Sequence, residues 1–199
     1  VKRGIAFFDF DGTITTKDTL LEFIKFSKGR FRFYAGFLFN IFYLVAYKLT
    51  LISNQKAKEK ILQFFFQGTS VADFRVQCEL FTRQVLPDLL RPKAVDEIQK
   101  LKENGSIVVI VSASPENWIE GWAKSCGVEL IASRLEVKDG KLTGKILGAN
   151  CHGKEKVRRI QEQYHIADFS EVYAYGDSKD DSPMLQLAHF AFYRPFRGG

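Results

Sequence analysis

Asp9 and Asp11 stand two residues apart at the end of an apolar run, in the stretch Phe7-Phe8-Asp9-Phe10-Asp11-Gly12-Thr13. The run 5–8 reads as a buried strand. Side chains along a strand repeat every second residue, so the spacing predicts two carboxylates pointing the same way. Like charges side by side in an apolar setting are costly unless a cation or a shared proton relieves them. The chemistry implied is a metal ion, or an acid/base pair, at a strand end. Gly12 lets the backbone turn sharply there and approach a ligand closely.

Two further apolar runs end in polar groups of matching character. The run 107–111 leads into Ser112-Ala113-Ser114, whose hydroxyls and backbone N–H groups suit a phosphate. The run 172–175 leads into Gly176-Asp177-Ser178-Lys179-Asp180-Asp181, and Gly153-Lys154-Glu155-Lys156 offers basic side chains at a helix start. Acidic groups from two strands, a hydroxyl from a third and a lysine suit one task. They can hold Mg²⁺ and a phosphoryl group while a carboxylate attacks.

The elements that must position these groups follow from the periodicity. Helical spacing runs over 18–28, with Asp18 or Thr19 as N-cap and Gly29 as stop. The segment 33–47 is apolar all round except for Asn40, and Arg30, Arg32 and Lys48 flank it. A helix of that kind is buried on every side or faces lipid. Fifteen residues reach about 22 Å, short of the ~30 Å hydrocarbon core, so interfacial insertion suits it better than a full span. The alternatives are the core of a small helical module and a dimer interface. Two more helices follow, capped by Ser53 or Asn54 and by Ser70, before Pro87 and Pro92 bracket a connection.

From there helix and strand alternate. A helix ends near Gly105, Pro115 opens another at its first position, 135–147 reads as a hairpin turning at Asp139-Gly140, and strands fall at 128–132 and 190–193. This predicts an α/β fold, a doubly wound, Rossmann-like parallel sheet with ligands at the carboxyl ends of its strands. The expected division is a core of residues 1–14 and 91–199, with a helical cap of residues 15–90 inserted after the first strand.

With 46% hydrophobic and 26% charged residues, the 199-residue chain has a globular profile. Its net charge of +6 points to an acidic partner, a phosphate ester or an anionic membrane. Basic residues occur along the whole chain, so no nucleic-acid partner is expected. Cys78, Cys126 and Cys151 have no paired spacing and fit a reducing cytoplasm as small hydrophobes. His152, His165 and His189 have no acidic partner evident in the sequence and read as surface or loop histidines.

Taken in order, Asp9-Phe10-Asp11-Gly12-Thr13, Ser112 after its strand, a downstream lysine, and Gly176-Asp177-Ser178 with Asp181 resemble the four motifs of the haloacid dehalogenase superfamily of phosphatases. The inserted helices resemble the cap of the subfamily that contains phosphoserine phosphatase. The resemblance implies Asp9 as the nucleophile that becomes an aspartyl-phosphate, and Asp11 as general acid and then base. It implies Mg²⁺ held by the Asp9 and Asp177 side chains and the Asp11 backbone carbonyl, with Asp181 orienting that shell. Ser112 would bind the phosphoryl oxygens, helped by backbone N–H groups around Gly12, Thr13 and Ala113. The resemblance to Gly-x-x-Lys-Val favours Lys156 over Lys154 as the motif lysine.

Asp18 falls where phosphoserine phosphatases place an acidic group for the substrate amine, and is equally the N-cap read above. Thirteen of the 28 aromatic residues lie between Phe23 and Phe66, which argues against a small charged substrate. The stretch 130–157, with the apolar cap, resembles bacterial phosphatidylglycerophosphatases of the superfamily. The leading expectation is a cytoplasmic Mg²⁺-dependent phosphomonoesterase acting on a lipid-linked phosphate, with peripheral contact to an anionic membrane through 30–52. The alternatives are a soluble metabolite phosphatase, such as one for phosphoserine, and a non-catalytic phosphate-binding module.

Overall fold

The computed structural model describes residues 3–197. Among the described residues the chain forms seven strands: β1 (Ile5–Phe8), β2 (Ile107–Pro115), β3 (Glu129–Ser133), β4 (Leu135–Lys138), β5 (Lys141–Ile146), β6 (Val172–Gly176) and β7 (Phe190–Tyr193). Five of them make one parallel sheet in the order β3-β2-β1-β6-β7, while β4 and β5 pair as a separate antiparallel hairpin.

β1 lies at the centre, with Ile5 opposite Ile107 on one side and Val172 on the other. A central parallel strand is covered on both faces, which is why its sequence is apolar throughout rather than alternating. Ile5 and Phe7 pack into one layer with Val109, Val111, Ile160 and Met184. Ala6 and Phe8 pack into the other with Val108, Ile110, Ile98 and Tyr175. The strand order reverses beside β1: the chain steps from β1 to β2 and β3, then crosses back to β6. In open α/β sheets that switch point is where ligands bind, outside the carboxyl ends of the strands.

Between β1 and β2 come α1 (Thr19–Lys28), α2 (Arg30–Phe39), α3 (Ile41–Lys48), α4 (Asn54–Phe66), α5 (Val71–Gln84), α6 (Leu86–Leu89) and α7 (Pro92–Glu103). The chain leaves the sheet at Ile14–Thr16 and returns at Leu89–Arg91, and the two segments pair: Thr16 N–H donates to the Leu89 carbonyl at 2.7 Å and Arg91 N–H to that of Ile14 at 2.8 Å. Asp18, Ser53 and Ser70 cap α1, α4 and α5, each accepting a backbone N–H three residues on. Phe23 stacks on Trp118 at 4.7 Å and meets Phe66, Phe74 and Phe81, so an aromatic core joins the inserted helices to the sheet domain.

Three sequence expectations need correction. β1 ends at Phe8, so Asp9 and Asp11 follow the strand and its alternation does not align them. The apolar segment 33–47 is two helices rather than one. Asn40 leaves helical geometry at φ −97° and ψ 9°, and its buried side-chain amide donates to the Gly36 carbonyl at 2.8 Å, competing with the backbone ladder. Pro115 does not open a helix but closes β2, a turn over Glu116–Trp118 follows, and α8 (Glu120–Cys126) begins beyond it. The hairpin β4–β5 docks on the inserted helices. Gly68 N–H donates to the Leu142 carbonyl, Ile146 N–H to the Glu59 carboxylate, and a Cβ at Gly144 would lie 2.5 Å from the Gln63 Cα.

The chain closes with α9 (Lys154–Gln163), which carries Lys156 inward, and α10 (Ser182–Leu185) ahead of β7. Gly36 has no room for a side chain, because a Cβ there would lie 2.2 Å from the Phe65 ring. Gly36→Leu is therefore expected to push α2 away from α4 and lower the melting temperature by several degrees, an overpacking cost of about 1–3 kcal/mol. Thermal unfolding with and without the substitution checks it.

Candidate active site

Beyond Phe8 the chain makes a tight turn over Phe10–Ile14, closed by the Thr15 N–H on the Phe10 carbonyl. Gly12 sits in it at φ +84°, where L side chains rarely go, and a Cβ there would lie 2.6 Å from the Asp177 Oδ2. The turn sends the two carboxylates to different partners. Asp9 is buried against Lys156, whose Nζ lies 2.6 Å from Asp9 Oδ1, and it accepts the Thr13 hydroxyl at 3.2 Å on the other oxygen. Asp11 faces the helical insertion: Oδ1 accepts Thr19 N–H and Oγ1, both at 2.6 Å, and Oδ2 accepts Ser114 Oγ at 2.7 Å and Ser112 Oγ at 3.4 Å.

Lys156 lies between two acids, with Asp181 Oδ1 at 2.7 Å on its other side. Burial works against its charge, but Asp9 and Asp181 more than offset that and raise its pKa. Lys154, the other candidate for the motif position, starts the same helix with an exposed side chain. Asp181 spends its second oxygen on the Asp177 N–H, the Ser178 N–H and the Ser178 hydroxyl. Lys156 and these donors hold its carboxyl below the ordinary value despite burial. The result is a carboxylate wholly occupied in fixing its neighbours.

Burial pushes the Asp9 carboxyl up to about 7, against the pull of Lys156, with Asp181 and Asp11 adding to the rise. Burial also raises Asp177, opposed by Arg197, which pairs with its Oδ2. Asp9, Asp177 and Asp181 place carboxylate oxygens within 4.8 Å of one another. Hard oxygen donors in that number, two of them with raised pKa, fit a divalent cation such as Mg²⁺. Asp181 takes four donors, which leaves the less heavily bonded Asp9 and Asp177 as the candidate carboxylate ligands.

A cation bound here favours the ionised form of Asp9. Mg²⁺ is therefore expected to raise the melting temperature more at pH 8 than at pH 5, where it must displace a proton. At a hundredfold excess over its Kd the gain is about 2.7 kcal/mol, or roughly 5–10 °C. A thermal shift equal at both pH values contradicts this assignment.

Several groups escaped sequence reasoning. Ser114 is closer to Asp11 than Ser112 is, a consequence of β2 running on so that alternate hydroxyls share a face. Thr19 fixes Asp11 from the start of α1 and itself accepts the Trp118 indole N–H at 3.0 Å. Lys58 reaches from α4 to donate to the Ala113 carbonyl at 2.9 Å. Burial lowers its pKa against the opposing pull of Asp18 and Asp11.

Asp18 caps α1 through Leu21 N–H, and the Gly12 N–H lies 3.4 Å from Thr15 Oγ1. The three histidines lie in loops as expected, but two have acidic partners the sequence did not show: His152 pairs with Asp180 at 3.1 Å and His165 with Asp168 at 3.2 Å. Cys78 and Cys151 are buried and Cys126 half-buried, and all three are free thiols.

This arrangement has counterparts. A family model described as haloacid dehalogenase-like hydrolase matches residues 6–186. Protein CicA of Caulobacter vibrioides is 37% identical over 193 residues, spanning 96% of this chain and 86% of its own. A probable phosphatase of Mycobacterium tuberculosis is 31% identical over 212 residues, spanning 98% of this chain and 70% of its own. Among solved structures, the phospho-aspartyl intermediate analogue of a phosphoserine phosphatase superposes with a TM-score of 0.68 over 94% of this chain and 84% of that one. Its identity is 20%, so the likeness is one of fold.

Proposed function

Since this chain belongs to the haloacid dehalogenase-like hydrolases and is a phosphatase, we propose that Asp9 is its nucleophile and that a phosphomonoester is cleaved in two displacements. The supporting observation is the meeting of Asp9, Asp11, Ser112, Lys156 and Asp177 at the carboxyl ends of β1, β2 and β6 and the start of α9. An Asp9 oxygen attacks phosphorus and the bond to the ester oxygen breaks. The leaving oxygen takes a proton from the Asp11 carboxyl and departs as an alcohol. Water then gives a proton to the Asp11 carboxylate while its oxygen attacks the phosphoryl group. The bond to Asp9 breaks, and phosphate leaves with both aspartates restored.

Lys156 offsets the charge beside Asp9, and Asp181 keeps that ammonium and the Asp177 backbone in place. Ser112 and the backbone N–H groups near Gly12, Thr13 and Ala113 orient the phosphoryl oxygens. Mg²⁺, general to the family, would be held by Asp9, Asp177 and the Asp11 carbonyl, and it neutralises phosphoryl charge when bound.

The substrate reading rests on the surface of the insertion. α3 buries none of its residues, and Phe31, Phe39 and Phe42 are 87%, 73% and 81% exposed. Patches of that kind mark interaction sites. We read it as the face that meets a lipid surface, where the enzyme removes phosphate from a lipid-linked monoester. The fold likeness to phosphoserine phosphatase favours a second reading, a small soluble monoester bound near Asp18.

A panel comparing phosphatidylglycerophosphate in mixed micelles with phosphoserine separates them. The lipid reading predicts a kcat/KM preference of about 100-fold or more for the lipid. Faster turnover of phosphoserine overturns it.

A further inference from the structure

α1 runs away from the site. Asp18 caps its first turn close to Asp11, while Lys28 ends it ten residues later, about 15 Å away at 1.5 Å per residue. At that far end lies a pocket of about 320 Å³ lined by Lys28, Arg32, Ala35, Phe64 and Phe65. It shares no residue with the catalytic group.

The pocket joins positive charge to aromatic walls. Lys28 Nζ sits 4.9 Å above the Phe66 ring, and Phe64 and Phe65 meet edge to face. Among the described residues no carboxylate pairs with Lys28 or Arg32. Burial lowers the Lys28 pKa, and the nearby charge of Arg32 lowers it further.

The surroundings say what the anion is attached to. Residues 23–72 carry eight Lys and Arg against the single acid Glu59, while the rest of the chain carries 21 against 22. The whole positive surplus of the protein therefore lies in this segment. The exposed apolar face continues directly from the pocket, since the ring of Phe39 stacks on that of Phe64. No helix among the described residues is long and apolar enough to cross a membrane. A second copy of the chain would set one such cationic face against another. Exposed aromatics ringed by basic residues, on helices too short to span, form the pattern of an in-plane contact with an anionic bilayer.

We propose that the Lys28–Arg32 pocket binds the phosphate headgroup of an anionic phospholipid in the bilayer, while the apolar side chains of α2 and α3 enter the interface beside it. This rests on the lipid-facing reading of the insertion and adds a second lipid site, remote from the one where phosphate is hydrolysed.

Co-sedimentation with vesicles of phosphatidylcholine, with and without phosphatidylglycerol, tests it in three proteins. These are the wild type, K28S/R32S, and K48S/K56S, which removes the same charge outside the pocket. Thermal melting verifies that the variants fold. The wild type should sediment with the phosphatidylglycerol vesicles and not with phosphatidylcholine alone. K28S/R32S should lose about 30-fold in partitioning and K48S/K56S clearly less. Excess inorganic phosphate should leave wild-type binding intact.

Equal losses in the two variants would overturn the pocket in favour of diffuse attraction. Release by inorganic phosphate would assign it to the free anion instead. A wild type that ignores phosphatidylglycerol vesicles yet hydrolyses a soluble aryl phosphate would overturn the lipid-facing reading itself and leave the chemistry standing.

Discussion

Asp9→Asn is expected to lower Mg²⁺-dependent phosphate release from an aryl phosphate by about four orders of magnitude or more, because no other carboxylate is placed to replace the attacking oxygen. The fold should tolerate the change. An ionised Asp9 is disfavoured by burial and by the charges of Asp181 and Asp11, and the amide removes that conflict. Lys156 loses one partner but keeps Asp181 at 2.7 Å. Stability should therefore move by about 1 kcal/mol or less, against a typical large effect of several. Steady-state release and urea unfolding on the same preparation separate the two quantities. Loss of activity through unfolding would show as a shifted urea midpoint.

Lys156→Met should do the opposite, damaging fold and activity together. The ammonium is buried between Asp9 and Asp181, with 3% of its side chain exposed. Removing it leaves two buried carboxylates facing each other, and breaking a buried pair in this way costs about 3–5 kcal/mol. The penalty depends on pH. Without the cation both acids have raised pKa values, so at pH 5 they protonate and the strain eases, while at pH 8 they are ionised and it is largest. Denaturant unfolding at the two pH values should show the variant closer to wild type at pH 5. A cost independent of pH would mean that Lys156 contributes packing rather than charge.

Much of this was legible in the chain. A strand covered on both faces needs an unbroken apolar run, and residues just past its end face the switch point, so Asp9, Ser112 and Asp177 could be placed from local pattern alone. The route from sheet to helices and back was equally readable from caps and prolines. What escaped depends on tertiary approach. Thr19 and Lys58 reach the site only once α1 and α4 are packed, and nothing in their neighbours marks them, while the bond from Ser114 to Asp11 appears only once β2 is placed.

The Asp9–Asp11 spacing implies parallel side chains only if strand alternation continues past Phe8, and it does not. The turn that begins at Phe10, directly after β1, sends them to different partners instead. Asn40 reads as one polar residue in an apolar helix, and the bond from its side-chain amide to the Gly36 carbonyl makes it a break. The histidines were judged by sequence neighbours, whereas His152 finds its acid 28 positions away, at Asp180.

The division of labour between the two aspartates predicts a covalent species. Wild-type protein quenched in acid during turnover, digested and analysed by mass spectrometry should carry one phosphoryl group on the peptide containing Asp9. The modification should be labile to hydroxylamine, as an acyl phosphate is, and should persist longer in Asp11→Asn, where the base for the second displacement is missing. A phosphoryl group on any other residue, or steady turnover with none on the protein, would contradict Asp9 as the nucleophile.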